Sequence, residues 1–112
     1  MNAKLAIVLT YAVIVTYLSL RAPNDTPTGI PHFDKIGHTT IYFFFTYIVS
    51  TISKSNKHLT YFSIVIIVYS ALIELLQPYV GRTGSVYDLA ANILGVTIGF
   101  ITATILFRPK TR

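Results

Sequence analysis

Asp25, Asp34, Glu74 and Asp88 are the only carboxylates in this chain, and three of them stand beside other groups able to bind ligands or carry protons. Asp34 and His38 lie four residues apart, so a helix through them sets both on one face, with Tyr42 a turn deeper. A histidine oriented by a carboxylate is a candidate general base. No convincing nucleophile accompanies it, because Thr83 and Ser85 read as ordinary loop residues. Glu74 and Gln77 are three apart and share a second face. Asp88, Asn92, Gly95 and Gly99 step by four, three and four along a third. Lys35 and Arg82 are the cations placed to neutralise Glu74 or Asp88.

Segment 82–85, Arg-Thr-Gly-Ser, carries two readings. It is a tight turn whose hydroxyls cap the following helix, with Ser85 or Asp88 near its start. It is also a guanidinium among donors, able to hold a carboxylate or phosphate. Asp34, His38, Glu74 and Asp88 offer oxygen and nitrogen ligands, but no His-x-x-x-His pair and no cysteine support a metal site. No metal or other cofactor is expected. The lack of cysteine also excludes disulfides and thiol catalysis. His32 and His58 read as loop residues, and most tyrosines as packing or interfacial anchors.

The elements that must position these residues are apolar. Of 112 residues 53% are hydrophobic and 12% charged, against roughly 25% charged in soluble domains, so lipid is the expected solvent. The length suits a single domain over 1–112. Crossing a hydrocarbon core takes about 20 mostly apolar residues. Four stretches qualify, at 5–20, 36–53, 59–76 and 89–107, which predicts an all-α, four-helix transmembrane bundle. The first is read as a retained helix, since Arg21-Ala22-Pro23 is a poor cleavage site for a signal peptide. Pro23, Pro27, Gly29 and Pro31 mark 21–33 as a loop, and Pro78, Gly81 and Gly84 mark 77–87 as another. A short basic turn at 54–58 joins the middle spans.

Charge then orients the bundle. Lys4, Lys54, Lys57, Arg108, Lys110 and Arg112 fall on one side with no acid among them. All four carboxylates fall on the other, with Arg21, Lys35 and Arg82. The positive-inside rule puts both termini in the cytoplasm and turns the polar cluster outward. The net charge of +5 therefore reads as orientation, and nucleic acid is not an expected partner, since the basic residues flank apolar spans and form no stripe. Gly95 and Gly99 form GxxxG, which lets helix backbones approach closely in lipid and would also serve a homo-oligomer. A plain alternative for the polar groups is a clamp that fixes helix ends, because ionisable residues at membrane depth must pair or line a wet cavity.

Asp34-Lys35-Ile36-Gly37-His38, followed by Tyr42-Phe43-Phe44, resembles the D-K-x-x-H opening of VanZ-like membrane proteins. Glu74 and Gln77, then Gly81-Arg82, then Asp88, Asn92 and Gly95 are similar to that family's E-x-x-Q … G-R-x-x-x-x-x-D-x-x-x-N-x-x-G signature. The likeness covers about three quarters of the chain, and the first span matches only as a hydrophobic helix. The resemblance implies a small bacterial membrane protein, in a family whose namesake lowers susceptibility to the lipoglycopeptide teicoplanin. The namesake acts without the altered peptidoglycan terminus that other resistance proteins use. Many relatives occur away from resistance genes. The implied site is Asp34, Lys35, His38, Glu74, Gln77, Arg82, Asp88 and Asn92.

The leading expectation is an envelope protein whose outward polar pocket binds a lipid headgroup, a lipid-linked precursor or a lipoglycopeptide. Family likeness transfers a site better than a reaction, so binding is favoured over catalysis. The alternatives are an enzyme acting on a lipid headgroup through His38, and an accessory subunit of an envelope complex. Proton-coupled export is disfavoured, because the small multidrug exporters depend on an acid in the first span and 5–20 contains none.

Overall fold

In lipid each backbone polar group must be satisfied within its own segment, so an apolar run that enters a membrane becomes a helix. The structure, a computed structural model, describes residues 2–20, 33–80 and 86–106, with the side chains of Phe33 and Asp34 left aside. It is all-helical over those residues: α1 (Ala3–Leu20), α2 (Phe33–Ser50), α3 (Asn56–Leu76), a 3-10 turn (Gln77–Val80) and α4 (Val86–Leu106). At 1.5 Å per residue the helices run from about 27 to about 32 Å, the thickness of a hydrocarbon core.

Three segments are both long and apolar enough to cross a membrane: α1, α3 with its 3-10 turn, and α4. The second of the four expected spans, α2, is long enough but less apolar, because Asp34, Lys35, His38, Thr39 and Thr40 crowd its first half. Packing answers this. α2 lies most extensively against α4, and Tyr42, Thr46 and Ser50 are buried along with Phe45 and Val49. Threonines 16, 40, 46, 60 and 97 each donate to the carbonyl four residues back, which satisfies a hydroxyl without water.

The two helices come close because α4 offers no side chain where they meet. A Cβ at Gly95 would collide with the Thr39 carbonyl oxygen, and one at Gly99 would lie 2.8 Å from the Phe43 carbonyl oxygen and 2.9 Å from Thr46 Cβ. The GxxxG face is thus taken by α2 of the same chain. Val8, Val15, Tyr42, Phe45, Val49, Leu59, Ile66, Val96 and Ala103 form the core. Fully buried side chains include Gln77, Asn92, Thr46 and Ser70, while Val13, Tyr17, Val65, Leu75, Ile105 and Leu106 are exposed. So much apolar exterior over a partly polar interior fits lipid as solvent, since soluble monomers rarely expose large apolar patches.

Several boundaries differ from the sequence reading. α2 ends at Ser50 rather than at residue 53, because Thr51, Ile52 and Ser53 donate to carbonyls three residues back and tighten into a turn. The basic turn expected at 54–58 closes earlier: Ser55 caps α3, its hydroxyl accepting from the His58 amide at 3.2 Å, so His58 sits in the first helical turn. The loop expected at 77–87 is helical at both ends, with Gln77–Val80 in the 3-10 turn and Val86 and Tyr87 already in α4. Asn2 caps the other end of the bundle, accepting from the Leu5 amide at 2.8 Å.

Candidate functional site

Two helix faces meet at one end of the bundle. Lys35 and His38 are three residues apart in the first turns of α2, and Asp88 and Asn92 four apart in the first turns of α4. Since α2 and α4 are drawn together at Gly95 and Gly99, these faces meet side chain to side chain. Lys35 Nζ lies 2.8 Å from Asp88 Oδ1, and His38 Nε2 lies 3.7 Å from Asp88 Oδ2. The Lys35 and Asp88 side chains are 30% and 12% exposed. This is a partly buried ion pair, where the lowered dielectric strengthens attraction and raises the cost of separating the charges.

Beneath the ion pair the contacts become hydrogen bonds. His38 Nδ1 is 2.9 Å from Asn92 Oδ1, and Asn92 Nδ2 donates to Ser70 Oγ at 2.6 Å. With Asn92 Oδ1 turned toward it, His38 Nδ1 is the donor of that bond. Ser70, fully buried on α3, also bonds the Tyr42 hydroxyl. A polar chain therefore runs from the Lys35–Asp88 pair, across the 3.7 Å approach of Asp88 to His38, to the hydrogen-bonded series His38–Asn92–Ser70–Tyr42 inside the bundle. It can hold a ligand at its charged outer end, and His38 Nε2 can exchange a proton with a group bound beside Asp88.

The α3 side supplies the rest. Glu74 is buried one turn after Ser70, on the face that also carries Gln77. Gln77 Nε2 donates to the Ser19 carbonyl at 3.0 Å, which ties the end of α3 to the end of α1. His38, Gln77 and Ser19 share a cavity of about 170 Å3 between α1, α2 and the 3-10 turn.

Of the residues singled out from sequence, Lys35, His38, Asp88 and Asn92 come together directly. Gln77 adjoins them across the cavity, and Glu74 approaches through Tyr42. Asp25 and Arg82 lie outside the described residues, as does the side chain of Asp34. The expected Asp34–His38 pairing is therefore not addressed, and the described partners of His38 come from α4. Sequence reasoning passed over Ser70 and the Ser19 carbonyl. Ser70 was within reach, since it stands four residues before Glu74 on a face that also holds Ser63 and Ile66. The Ser19 contact was not, because a backbone carbonyl carries no residue-type signal.

Three apolar helices of membrane length, with buried polar groups gathered at one end, suggest a helical membrane protein. Within that class the chain belongs to the VanZ-like family: the VanZ/LLP1 family model matches residues 4–107, and so takes in the first helix as well as the motifs. No curated protein and no solved structure matches the chain.

Proposed function

We propose that this protein is a multi-pass component of the bacterial cytoplasmic membrane that uses the Lys35–Asp88 end of the bundle as an outward-facing binding site. In this reading all four helices cross the bilayer and both termini are cytoplasmic. The site takes a lipid headgroup, a lipid-linked envelope precursor or a lipoglycopeptide. The observation that supports it is the polar chain from the part-exposed Lys35 to the buried Tyr42 at one end of an otherwise apolar molecule. Membrane proteins retain such costly groups chiefly where they serve a ligand or a proton. An ion pair at headgroup level with donors beneath it suits ligands that carry charge and hydroxyls on an apolar anchor.

The experiment is teicoplanin susceptibility of a sensitive Gram-positive host expressing the chain, beside an Asp88→Asn variant matched for membrane abundance. The expected outcome is a higher inhibitory concentration with the wild type and none of that protection with the variant. Equal protection by both would remove the charged cluster from the activity. Protection by neither would detach this chain from glycopeptide action.

A further inference from the structure

The cavity beside His38 is not explained by the ion pair. Val15, Leu18 and Ile41 give it apolar walls, His38 closes the side toward α4, and the Gln77 carboxamide reaches in from the 3-10 turn. Gln77 is 1% exposed, and its Oε1 is buried with no hydrogen-bond partner among the described residues. The orientation of that amide follows from its other contact. Nε2 lies 3.0 Å from the Ser19 carbonyl oxygen, and the reversed assignment would set two acceptors face to face. Oε1 is therefore the acceptor that Gln77 has left to offer. A buried acceptor with nothing to accept is costly and uncommon, so the site calls for a donor.

The donor's chemistry can be narrowed. An anion would meet the Gln77 oxygen as a second acceptor. An ammonium would exchange its hydration for one neutral acceptor between apolar walls, at a large desolvation cost. A hydroxyl donates to one oxygen at small cost, and the carbons beside it suit the apolar walls. About 170 Å3 is more than a single water requires and takes a small polyol.

We propose that the cavity between α1, α2 and the 3-10 turn binds the hydroxyl-bearing end of a polyol, its O–H donating to Gln77 Oε1 and its carbons lying on Val15, Leu18 and Ile41. This rests on the reading that this end of the bundle takes a headgroup, and it names the part of the headgroup that is recognised. Two sources share that chemistry, a glycerol-headed lipid and free glycerol.

The test uses the full chain in phosphatidylcholine nanodiscs doped with phosphatidylglycerol or phosphatidylethanolamine. Native mass spectrometry of the released protein reads lipid retention. Phosphatidylglycerol is expected to be held at least about fivefold over phosphatidylcholine, the effect of one net hydrogen bond. Gln77→Met should lower it to the phosphatidylcholine level. Gln77→Glu, measured at pH 5 beside the wild type, should keep it, since a buried neutral carboxyl can donate to Ser19 and still accept. Displacement of the lipid by free glycerol would assign the site to a soluble polyol, and resistance to displacement would assign it to the lipid.

Loss in both Gln77 variants would reduce Gln77 to a tie between α1 and α3 and overturn the proposal. So would a preference for phosphatidylethanolamine, or equal retention of all three lipids with glycerol inert, which leaves water alone in the cavity. A phosphatidylglycerol preference intact in Gln77→Met and abolished by Asp88→Asn would also overturn it. That last result would leave the headgroup at the ion pair and the broader reading standing.

Discussion

The Lys35–Asp88 pair is unequal in its freedom to escape. Lysine has a long apolar stem and can swing its ammonium out past the helix ends, whereas an aspartate held in the first turn of α4 cannot follow. Removing the cation should therefore cost more than removing the anion. Lys35→Met takes away the 2.8 Å partner of Asp88 and is expected to destabilise the bundle by about 3 kcal/mol, against about 1 kcal/mol for Asp88→Asn. The double variant should recover most of the larger loss, since it leaves neither charge behind. Reversible unfolding in mixed micelles, read by helical circular dichroism, completes this cycle. Equal costs for the two single changes would mean that Lys35 is as fixed as Asp88.

At the scale of the helices, the site is a consequence of how closely α2 and α4 approach. Gly95 and Gly99 lie one and two turns below Asn92, so any side chain there pushes apart the helices that hold His38 and Asn92 together at 2.9 Å. Gly95→Ala meets a backbone carbonyl, which cannot rotate aside, and is expected to lower stability by about 2 kcal/mol. Gly37→Ala meets nothing within 4 Å and should be neutral or stabilising, because alanine is the better helix former. Thermal unfolding of the two variants in detergent separates these effects, and a similar loss in both would mean that the close approach at Gly95 is not what sets the cost. The same geometry marks what was legible beforehand. Spacing alone placed Asp88, Asn92, Gly95 and Gly99 on one stripe, and Asp34-Lys35 with His38 marked the start of another helix. Which stripe met which, and that Ser70 would receive Asn92, depends on distances between separate helices, which spacing within one helix does not encode. Helix ends were misplaced for a related reason. The Ser55 cap and the 3-10 turn at Gln77–Val80 are set by local hydrogen bonds inside stretches that read as loops.

The whole molecule carries an asymmetry that the packing neither needs nor creates. Among the described residues, Lys54 and Lys57 sit with the N-terminal Lys4 at the end opposite the ion pair, while Glu74 and Asp88 keep to the ion pair's end. Basic residues near short connections are retained in the cytoplasm during insertion, while acids exert little pull, so this distribution should orient the bundle with the Lys35–Asp88 end outward. The absence of cysteine makes the expectation simple to test. Tyr79→Cys places a thiol on an exposed position of the 3-10 turn, at the ion-pair end. Thr51→Cys places one at the opposite end, in the turn that follows α2. A membrane-impermeant maleimide added to intact cells should label Tyr79→Cys, and should label Thr51→Cys only after permeabilisation. The reverse pattern would put the polar cluster in the cytoplasm, out of reach of an external lipoglycopeptide. Labelling of both thiols in intact cells would show that α3 does not cross the membrane, because that helix alone separates the two positions once α2 has ended. Since α2 occupies the GxxxG face of α4, a second copy would have to join through another surface, and the orientation measured this way applies to one bundle at a time.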